Sequence, residues 1–306
     1  MKILLLGKNG QIGWELQRSL APLGELVALD RHSTEADGGC GDLARPDALR
    51  ETVQRLRPHV IVNAAAHTAV DRAESEPGLA HTVNTVAPGA LADAAHTVGA
   101  LLVHYSTDYV FDGSGHLPWR EDAATAPLSV YGTTKRDGEN LVRASGARHL
   151  ILRTSWVYAA RGGNFARTML RLAQERERLT VIDDQWGAPT GAELIADVTA
   201  HAMRQVLREP ACAGTYHLSA AGETSWNGYA RFVFDTARAL HPALPLKVQD
   251  VAPVPSSAFA TAARRPLNSR LDTTRLCDTF GLALPHWQLG VRRMLAEILG
   301  PTGTSA

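Results

Sequence analysis

The chain has 306 residues, 45% of them hydrophobic and 20% charged, which is the composition of a soluble globular protein with one large lobe or two smaller ones. Its 31 Lys and Arg residues balance 31 Asp and Glu residues, so no overall charge draws it to nucleic acid or to an anionic membrane. The three cysteines are widely separated, as is usual in a reducing compartment. The apolar part of the opening stretch, MKILLLGKNG, is too short for a signal peptide or a membrane helix. We therefore expect a cytoplasmic protein.

The first half of the chain alternates short apolar runs with stretches of helical periodicity. The apolar runs predict strands at residues 3–6, 26–29, 60–62, 101–103 and 149–152. The stretches between them predict helices at residues 11–23, 46–56, 79–98 and 133–144. This alternation predicts an α/β fold, a Rossmann-type doubly wound parallel sheet, with ligands bound beyond the carboxyl ends of the strands.

The second half is less regular and is interrupted by prolines between residues 242 and 266. Helices are predicted at residues 164–176, 192–207, 226–240 and 289–299. We therefore predict an NAD(P)-binding Rossmann domain over residues 1–155 and a smaller C-terminal α/β substrate-binding lobe over residues 156–306, with short returns to the Rossmann sheet.

A glycine-rich turn separates the first predicted strand from the first predicted helix. Gly7, Gly10 and Gly13 recur at every third position there. This spacing lets the backbone turn tightly and approach a pyrophosphate, whose charge then faces the positive end of the helix. Because the strand and the helix flank the turn, the pattern predicts a dinucleotide site rather than an ordinary glycine turn.

Two neighbouring residues bear on the choice of cofactor. Asp30 ends the second strand, where a carboxylate accepts hydrogen bonds from ribose hydroxyls and favours NAD(H). Arg31 suits a 2′-phosphate and favours NADP(H), although a plain surface cation is the alternative. We expect both NADPH and NADH to be used. Asp42 and Leu43 are expected beside the adenine. The residues that follow the third strand, several of them small, are expected close to the cofactor: Ala64, Ala65, Ala66, His67 and Thr68.

Tyr131 and Lys135 are four residues apart, so on a helix both side chains lie on one face. A nearby ammonium stabilises the phenolate and lowers the pKa of a tyrosine. Thr107, at the end of a neighbouring strand, supplies a hydroxyl that completes a site for a carbonyl oxygen. The set predicts ketone reduction in which Tyr131 donates the proton and Lys135 tunes Tyr131 and holds the nicotinamide ribose. A surface Tyr and Lys on one helix is the alternative.

Strings spread over nearly the whole chain resemble the dTDP-4-dehydrorhamnose reductase family of the extended short-chain dehydrogenase/reductases. They are GKNGQIGWELQRSL, NAAAHTAVDRAESEP, HYSTDYVFDG, YGTTK, RTSWVY, DDQWGAPTGAEL and RPLNSRLDT. The resemblance implies NAD(P)H-dependent reduction of the C4 ketone of dTDP-4-dehydro-L-rhamnose to dTDP-L-rhamnose. That reaction belongs to the synthesis of dTDP-rhamnose for cell-surface polysaccharide such as lipopolysaccharide O-antigen.

The same resemblance implies roles for individual residues. Asp108 and Trp156 face the sugar, and Thr107, Tyr131 and Lys135 are catalytic. The cofactor residues that it implies are Gly10, Gln11, Ile12, Asp30, Asp42, Leu43, Ala66, His67, Thr68 and Tyr105.

Three further residues are candidates for the nucleotide half of the substrate. Gln185 and Trp186 lie in a turn-rich loop that offers an aromatic ring and hydrogen-bonding groups. Arg265 carries a guanidinium suited to a pyrophosphate. The alternative is a structural loop and an exposed arginine.

A metal site is also implied, because some members of the family are homodimers with Mg²⁺ bound between subunits by glutamates. Glu15, Glu193 and Glu297 match the candidate positions. Carboxylates gathered at one point need a cation, and Mg²⁺ suits oxygen ligands. The alternative for each is a charge on a helix surface.

Two other functions remain open on the same fold. A nucleotide-sugar dehydratase or epimerase is one, but related dehydratases have a glutamate where this chain has Tyr109, which cannot act as a carboxylate. The other is a non-catalytic regulatory subunit similar to the β subunit of methionine adenosyltransferase. An intact set of Thr107, Tyr131 and Lys135 argues against it.

We predict that Arg31→Ala lowers the ratio of kcat/KM with NADPH to kcat/KM with NADH by about tenfold, because a charged contact to the 2′-phosphate is lost. Steady-state rates with each cofactor measure this ratio. An unchanged ratio would make Arg31 a plain surface cation.

Overall fold

The computed structural model describes residues 1–300, so residues 301–306 of the predicted second lobe lie outside it. The strands are β1 Lys2–Leu6, β2 Glu25–Leu29, β3 Val60–Asn63, β4 Leu101–Thr107, β5 His149–Thr154, β6 Val157–Tyr158, β7 Arg178–Ile182, β8 Trp186–Gly187, β9 Thr190–Gly191, β10 Gly214–His217, β11 Thr224–Ser225 and β12 Asp250–Val254. The α-helices are α1 Gln11–Leu20, α2 Pro46–Leu56, α3 Val70–Ser75, α4 Pro77–His81, α5 Ala87–Val98, α6 Val130–Ala144, α7 Phe165–Glu175, α8 Ala192–Arg208, α9 Trp226–Leu240, α10 Thr274–Phe280 and α11 Trp287–Leu299.

A parallel sheet of six strands in the order β10-β5-β4-β3-β1-β2 forms the centre of the molecule. From β1 the chain first adds β2 on one side and then β3 on the other, so the order of the strands reverses beside β1. Crevices at such a reversal are where doubly wound sheets bind ligands. The arrangement confirms the predicted Rossmann-type doubly wound parallel sheet.

The strands are apolar because helices cover both faces of the sheet. In β1, Ile3 and Leu5 pack with α1 and α8 on one face. Leu4 and Leu6 pack with α2 and α5 on the other face. A strand with two buried faces has no polar alternation, which explains why short unbroken apolar runs were sufficient to locate β1 to β5.

The second half of the chain forms its own core around α7, α9 and α11. Tyr229, Phe234 and Trp287 are fully or almost fully buried there, and β12 pairs in parallel with β7. β10 instead extends the central sheet beside β5. The division into domains at residue 155 stays a prediction. No helix among residues 1–300 is both long and apolar enough to cross a membrane.

Prolines explain two of the places where the observed helices depart from the predicted ones. The predicted helix 79–98 is divided into α4, a π-helical turn at Thr82–Val86, and α5. Pro88 has no N–H to donate to the carbonyl of Asn84, so a regular α-helical ladder cannot pass through this point. Similarly, α1 ends at Leu20 and is followed by a 3₁₀ turn that contains Pro22.

A buried ion pair attaches α6 to the central sheet. Arg153 of β5 donates from Nε to Glu139 Oε1 at 2.9 Å and from a terminal nitrogen to Oε2 at 2.7 Å. Both side chains are buried. Burial alone would raise the pKa of Glu139, but the bonds to Arg153 outweigh it and hold the pKa below its usual value. The carboxylate therefore stays charged and fixes the position of α6.

We predict that Arg153→Met lowers the free energy of unfolding by about 3 kcal/mol or more, because it leaves the Glu139 carboxylate buried without its main partner. Urea unfolding measures the loss. The matched control is Arg171→Met, which breaks an exposed pair with Glu175 and should cost less than about 1 kcal/mol. Equal losses in the two variants would contradict the anchoring role of Arg153.

Candidate functional site

A cavity of about 1080 Å³ opens at the carboxyl edge of the central sheet. The ends of β1 to β5 and the start of α6 all contribute to its walls. It is lined by these residues predicted from the sequence: Gly7, Gly10, Gln11, Ile12, Asp30, Arg31, Asp42, Leu43, Ala64, Ala65, Ala66, His67, Thr68, Tyr105, Thr107, Asp108, Tyr131, Lys135 and Trp156. The fold thus gathers residues from across the first half of the chain around one space.

The glycine-rich turn forms one wall of the cavity. The N–H of Gly10 donates to the carbonyl of Gly7 at 3.0 Å, which closes the turn directly before α1. A Cβ on Gly13 would lie 2.0 Å from that same carbonyl oxygen, so only glycine lets α1 start this close to the strand. Gly13 itself does not line the cavity, and its part is to shape the turn.

Asp30 lies at the other end of the same wall. Its Oδ1 accepts the backbone N–H of His32 at 2.8 Å, and its Oδ2 accepts from the side-chain amide of Asn9. Arg31 and His32 are exposed and contact each other between Nε and Nε2 at 3.1 Å. The carboxylate is therefore held in place by the turn, while the Arg31 guanidinium stands beside it with access to solvent.

Tyr131 and Lys135 project from the first turns of α6. The helix begins at Val130 because the Ser129 hydroxyl accepts the N–H of Gly132 at 3.2 Å. A Cβ at Gly132 would lie 2.2 Å from the carbonyl oxygen of Tyr109, so this glycine allows α6 to start against the segment that follows β4. Tyr131 and Lys135 are both buried and line the cavity, as their spacing predicted.

Burial sets the protonation of these two groups. It raises the pKa of Tyr131 to about 12, although the Thr107 hydroxyl partly opposes the change. It lowers the pKa of Lys135 to about 8, with the Glu139 carboxylate acting in the opposite direction. Tyr131 is thus a protonated phenol at neutral pH, and the expectation that Lys135 lowers its pKa was wrong, because burial outweighs stabilisation of the phenolate. The pKa of Lys135 lies much closer to neutrality than that of an exposed lysine.

Thr107 and Asp108 form a linked pair at the end of β4. The Thr107 hydroxyl donates to Asp108 Oδ1 at 3.0 Å and accepts the backbone N–H of Tyr109 at 3.2 Å. Burial raises the pKa of Asp108 to about 6, and the hydroxyls of Ser269 and Thr107 limit the rise. Within residues 1–300, Asp108 Oδ2 has no hydrogen-bond partner, which leaves a buried acceptor in the cavity wall.

Two stacked tryptophans form the wall that faces the second half of the chain. Trp156 and Trp226 are nearly parallel, with ring centroids 3.6 Å apart. Trp156 has a φ of +48°, a backbone conformation that bulky residues rarely adopt and that the surrounding packing must maintain. Gln185 lies behind this pair, where its Oε1 accepts the indole N–H of Trp226 at 3.1 Å. Gln185 therefore contacts the wall but does not line the cavity.

Trp186 and Arg265 also lie outside the lining. The guanidinium of Arg270 lies over the Trp186 ring, 4.9 Å from its centroid. Arg265 donates to Asp71 Oδ2 at 2.5 Å, which connects the chain after β12 to α3. A contact between either residue and a substrate stays a prediction.

Several lining residues were not predicted from the sequence. Ser106, Thr154 and Ser155 lie at the ends of β4 and β5 and have side-chain hydroxyls without hydrogen-bond partners within residues 1–300. Their position at strand ends was a signal that could have identified them. Trp226 had no such signal, because α9 reaches the cavity only through the packing of the second half of the chain.

The three candidate metal ligands are near enough for the charges of Glu15 and Glu297 to act on Glu193, but two of the three are paired with arginines. Glu193 lies 3.5 Å from Arg293, and Glu15 lies 3.6 Å from Arg18. Burial raises the pKa of Glu193, Arg293 opposes this, and the charges of Glu15 and Glu297 raise it further. Among residues 1–300, no group of three or more His, Cys, Asp and Glu side chains is arranged to hold a metal ion within one subunit.

Known proteins are similar to this chain in both sequence and fold. A family model described as the RmlD substrate binding domain matches residues 1–299. The dTDP-4-dehydrorhamnose reductase of Salmonella typhimurium strain LT2 is 58% identical over 302 residues, which cover 99% of each chain. The chain belongs to the dTDP-4-dehydrorhamnose reductase family. This membership confirms the resemblance noted in the sequence.

Solved structures of this family agree with the fold. The crystal structure of a dTDP-4-dehydrorhamnose reductase from Clostridium acetobutylicum has a TM-score of 0.88 and 34% identity, covering 98% of this chain and 100% of that chain. The dTDP-4-dehydrorhamnose reductase of Bacillus anthracis, in complex with NADP, has a TM-score of 0.85 and 35% identity, covering 97% of this chain and 99% of that chain.

Proposed function

We propose that the chain catalyses the NADPH-dependent reduction of the C4 ketone of dTDP-4-dehydro-L-rhamnose to dTDP-L-rhamnose. The observation that carries this proposal is the burial of Thr107, Tyr131 and Lys135 in one cavity with the glycine-rich turn. High identity to dTDP-4-dehydrorhamnose reductases over almost the whole chain supports the substrate. NADPH is favoured because a structurally similar reductase was crystallised with NADP, and NADH is proposed as a second cofactor.

Different residues of the cavity bind the substrate and transfer the proton. Bound NADPH supplies the hydride for the carbonyl carbon. The Tyr131 phenol, protonated at neutral pH, donates a proton to the ketone oxygen. To hold that oxygen beside Tyr131, the Thr107 hydroxyl turns its hydrogen from Asp108 Oδ1 to the ketone, and Asp108 Oδ2 accepts from a sugar hydroxyl. Trp156, stacked on Trp226, provides an apolar wall for the sugar.

The glycine-rich wall provides the dinucleotide site in this proposal. Gly7, Gly10, Gln11 and Ile12 approach the phosphates at the start of α1. Asp30 accepts from the adenosine ribose, and Arg31 is free to contact a 2′-phosphate. The remaining predicted cofactor residues surround the adenine and the nicotinamide riboside: Asp42, Leu43, Ala64, Ala65, Ala66, His67, Thr68, Tyr105 and Lys135.

Elimination chemistry is a weaker candidate for this site. A dehydratase needs an additional acid and base, whereas this cavity has Tyr109 after Asp108. Burial raises the pKa of Tyr109, so its phenol holds its proton more tightly than an exposed tyrosine. The non-catalytic alternative is disfavoured by the intact set of Thr107, Tyr131 and Lys135.

We predict that Tyr131→Phe lowers kcat/KM by about 100-fold or more, because the proton donor is lost while the ring is kept. The measurement is NADPH oxidation with enzymatically generated dTDP-4-dehydro-L-rhamnose. The matched control is Tyr229→Phe, which removes a buried hydroxyl that has no partner among residues 1–300. It should react like the wild type.

Two other outcomes of this assay would change the conclusion. Turnover by neither the wild type nor Tyr131→Phe would favour the non-catalytic regulatory subunit. Equal turnover by both would exclude Tyr131 as the proton donor.

We also propose a cytoplasmic homodimer with Mg²⁺ bound between subunits by Glu15, Glu193 and Glu297. The raised pKa of Glu193, caused by burial and by the other two carboxylates, supports a site that gains from a cation. We predict that EDTA shifts the dimer towards monomer in sedimentation velocity and that added Mg²⁺ reverses the shift. A monomer that is indifferent to EDTA would remove both the metal and the dimer.

A further inference from the structure

A chain of three buried polar side chains lies beneath the floor of the cavity. Asn63 and His104 are neighbours in register on β3 and β4, and each is only 1% exposed. Asn63 Nδ2 lies 3.2 Å from His104 Nδ1. On the opposite side of the imidazole ring, His104 Nε2 lies 3.4 Å from Lys135 Nζ, which also donates to the carbonyl oxygen of Tyr105 at 2.6 Å.

The hydrogen bonds of Asn63 determine where the imidazole carries its proton. Asn63 Oδ1 accepts the backbone N–H of Ala65 at 3.2 Å, so the amide nitrogen is the atom that faces His104. That nitrogen is only a donor, and His104 Nδ1 must therefore be an acceptor. Burial lowers the pKa of His104 well below its ordinary value, and the nearby Lys135 lowers it further. A neutral imidazole with a free Nδ1 carries its hydrogen on Nε2, on the side of Lys135.

The Nε2–H of His104 interacts differently with the ammonium form and the neutral amine form of Lys135. An ammonium has three donors and no acceptor, so the Nε2–H of His104 opposes it. A neutral amine has a lone pair that accepts the Nε2–H while an N–H still donates to the Tyr105 carbonyl. The contact is therefore favourable only when Lys135 is neutral.

We infer that Asn63 and His104 are positioning residues, which hold the Lys135 amine at the cavity floor and favour its neutral form by presenting the Nε2–H to it. Neither side chain lines the cavity. His104 reaches the cavity through Lys135, and Asn63 also holds the backbone N–H of Ala65, so the test follows Lys135 directly. The catalytic meaning of this arrangement rests on the function proposed above.

The charged groups around Lys135 act in different directions. On α6, Glu139 lies one turn beyond Lys135 and favours the ammonium, but its carboxylate is already paired with Arg153 of β5. Tyr131 lies one turn before Lys135, and Asp108 acts on Tyr131. Burial lowers the pKa of Lys135 to about 8 against the attraction of Glu139. The Tyr105 carbonyl accepts from either form of the lysine, whereas the Nε2–H of His104 acts in the same direction as burial.

The lowered pKa of Lys135 suits a site in which the Tyr131 phenol donates a proton to the substrate. After Tyr131 has given its proton to the ketone oxygen, the phenolate must regain one. A lysine that titrates near neutral pH is a better proton donor to a phenolate than one at the ordinary value of about 10.4. The Lys135 ammonium gives one proton to the Tyr131 phenolate and becomes the neutral amine, which the Nε2–H of His104 then stabilises.

The test is the titration of Lys135, followed by NMR of protein labelled with ¹³C at lysine Cε. The chain has four lysines, Lys2, Lys8, Lys135 and Lys247, so the signals are few, and Lys135 is assigned by its loss in Lys135→Met. The decisive variant is Asn63→Asp, whose carboxylate accepts from Nδ1 and moves the imidazole hydrogen there. Nε2 then offers a lone pair to the ammonium. We expect the Lys135 midpoint to rise by about one pH unit or more.

A variant that lacks the imidazole separates the effect of the shifted imidazole hydrogen from the effect of the added negative charge at position 63. In His104→Leu, the further change Asn63→Asp should move the Lys135 midpoint by less than half as much, because no imidazole transmits it. Equal shifts in the two backgrounds, or no shift in Asn63→Asp, would overturn the inference. The matched control is Thr199→Val, which removes the bond of 2.7 Å between Thr199 Oγ1 and the Tyr105 hydroxyl. It should lower the unfolding temperature and leave the Lys135 midpoint unchanged.

A measurement on the wild type keeps the inference testable if these variants fail to fold. Long-range ¹H–¹⁵N correlation of the imidazole rings reports which nitrogen is protonated. We expect His104 to be neutral with hydrogen on Nε2, and hydrogen on Nδ1 would overturn the inference. Neither NMR experiment needs turnover, so failure of the reductase assay would leave this test standing.

Discussion

Parallel pairing of the strands is the constraint on which the rest of this structure depends. Because β1, β3, β4 and β5 run in the same direction, their carboxyl ends lie at one edge of the sheet. Each strand therefore delivers the residues that follow it to the same place. The turn after β1, the alanines after β3 and the Thr-Asp pair at the end of β4 become neighbours in space although they are distant in the chain. The cavity is a consequence of the direction of the strands.

Burial then determines the chemistry of the side chains gathered there. Away from water, the charged form of each group is disfavoured unless a partner compensates. The same effect raises the pKa of Tyr131 and of Asp108 and lowers the pKa of Lys135. Glu139 is the exception, because Arg153 provides two hydrogen bonds to its carboxylate. One buried ion pair thus keeps α6 in place, while burial disfavours the charged forms of the groups beside it.

Sequence-based predictions were accurate where a structural feature depends on residues close together in the chain, and less accurate where it depends on distant residues. The strands β1 to β5 were found because a strand covered on both faces is an unbroken apolar run, and β2 keeps this pattern although it is an edge strand and only partly buried. The spacing of Tyr131 and Lys135 correctly placed both in one cavity, since helical geometry over one turn is a local property. The π-helical turn before Pro88 was missed because helical periodicity is insensitive to one widened turn. Gln185, Trp186 and Arg265 were chosen for their chemistry alone, and in the fold they engage Trp226, Arg270 and Asp71 instead of lining the cavity.

The sequence by itself determined the class of fold, the glycine-rich turn and the residues that follow each strand, because all of these depend on contacts within a few residues of the chain. Only the tertiary structure decided which of the distant side chains reach the cavity. It brought Trp226 from the second half of the chain against Trp156, and it put Asn63 and His104 in register beneath Lys135. Their proton affinities followed in turn, since desolvation and hydrogen bonding depend on what packs around a group and not on its neighbours in sequence.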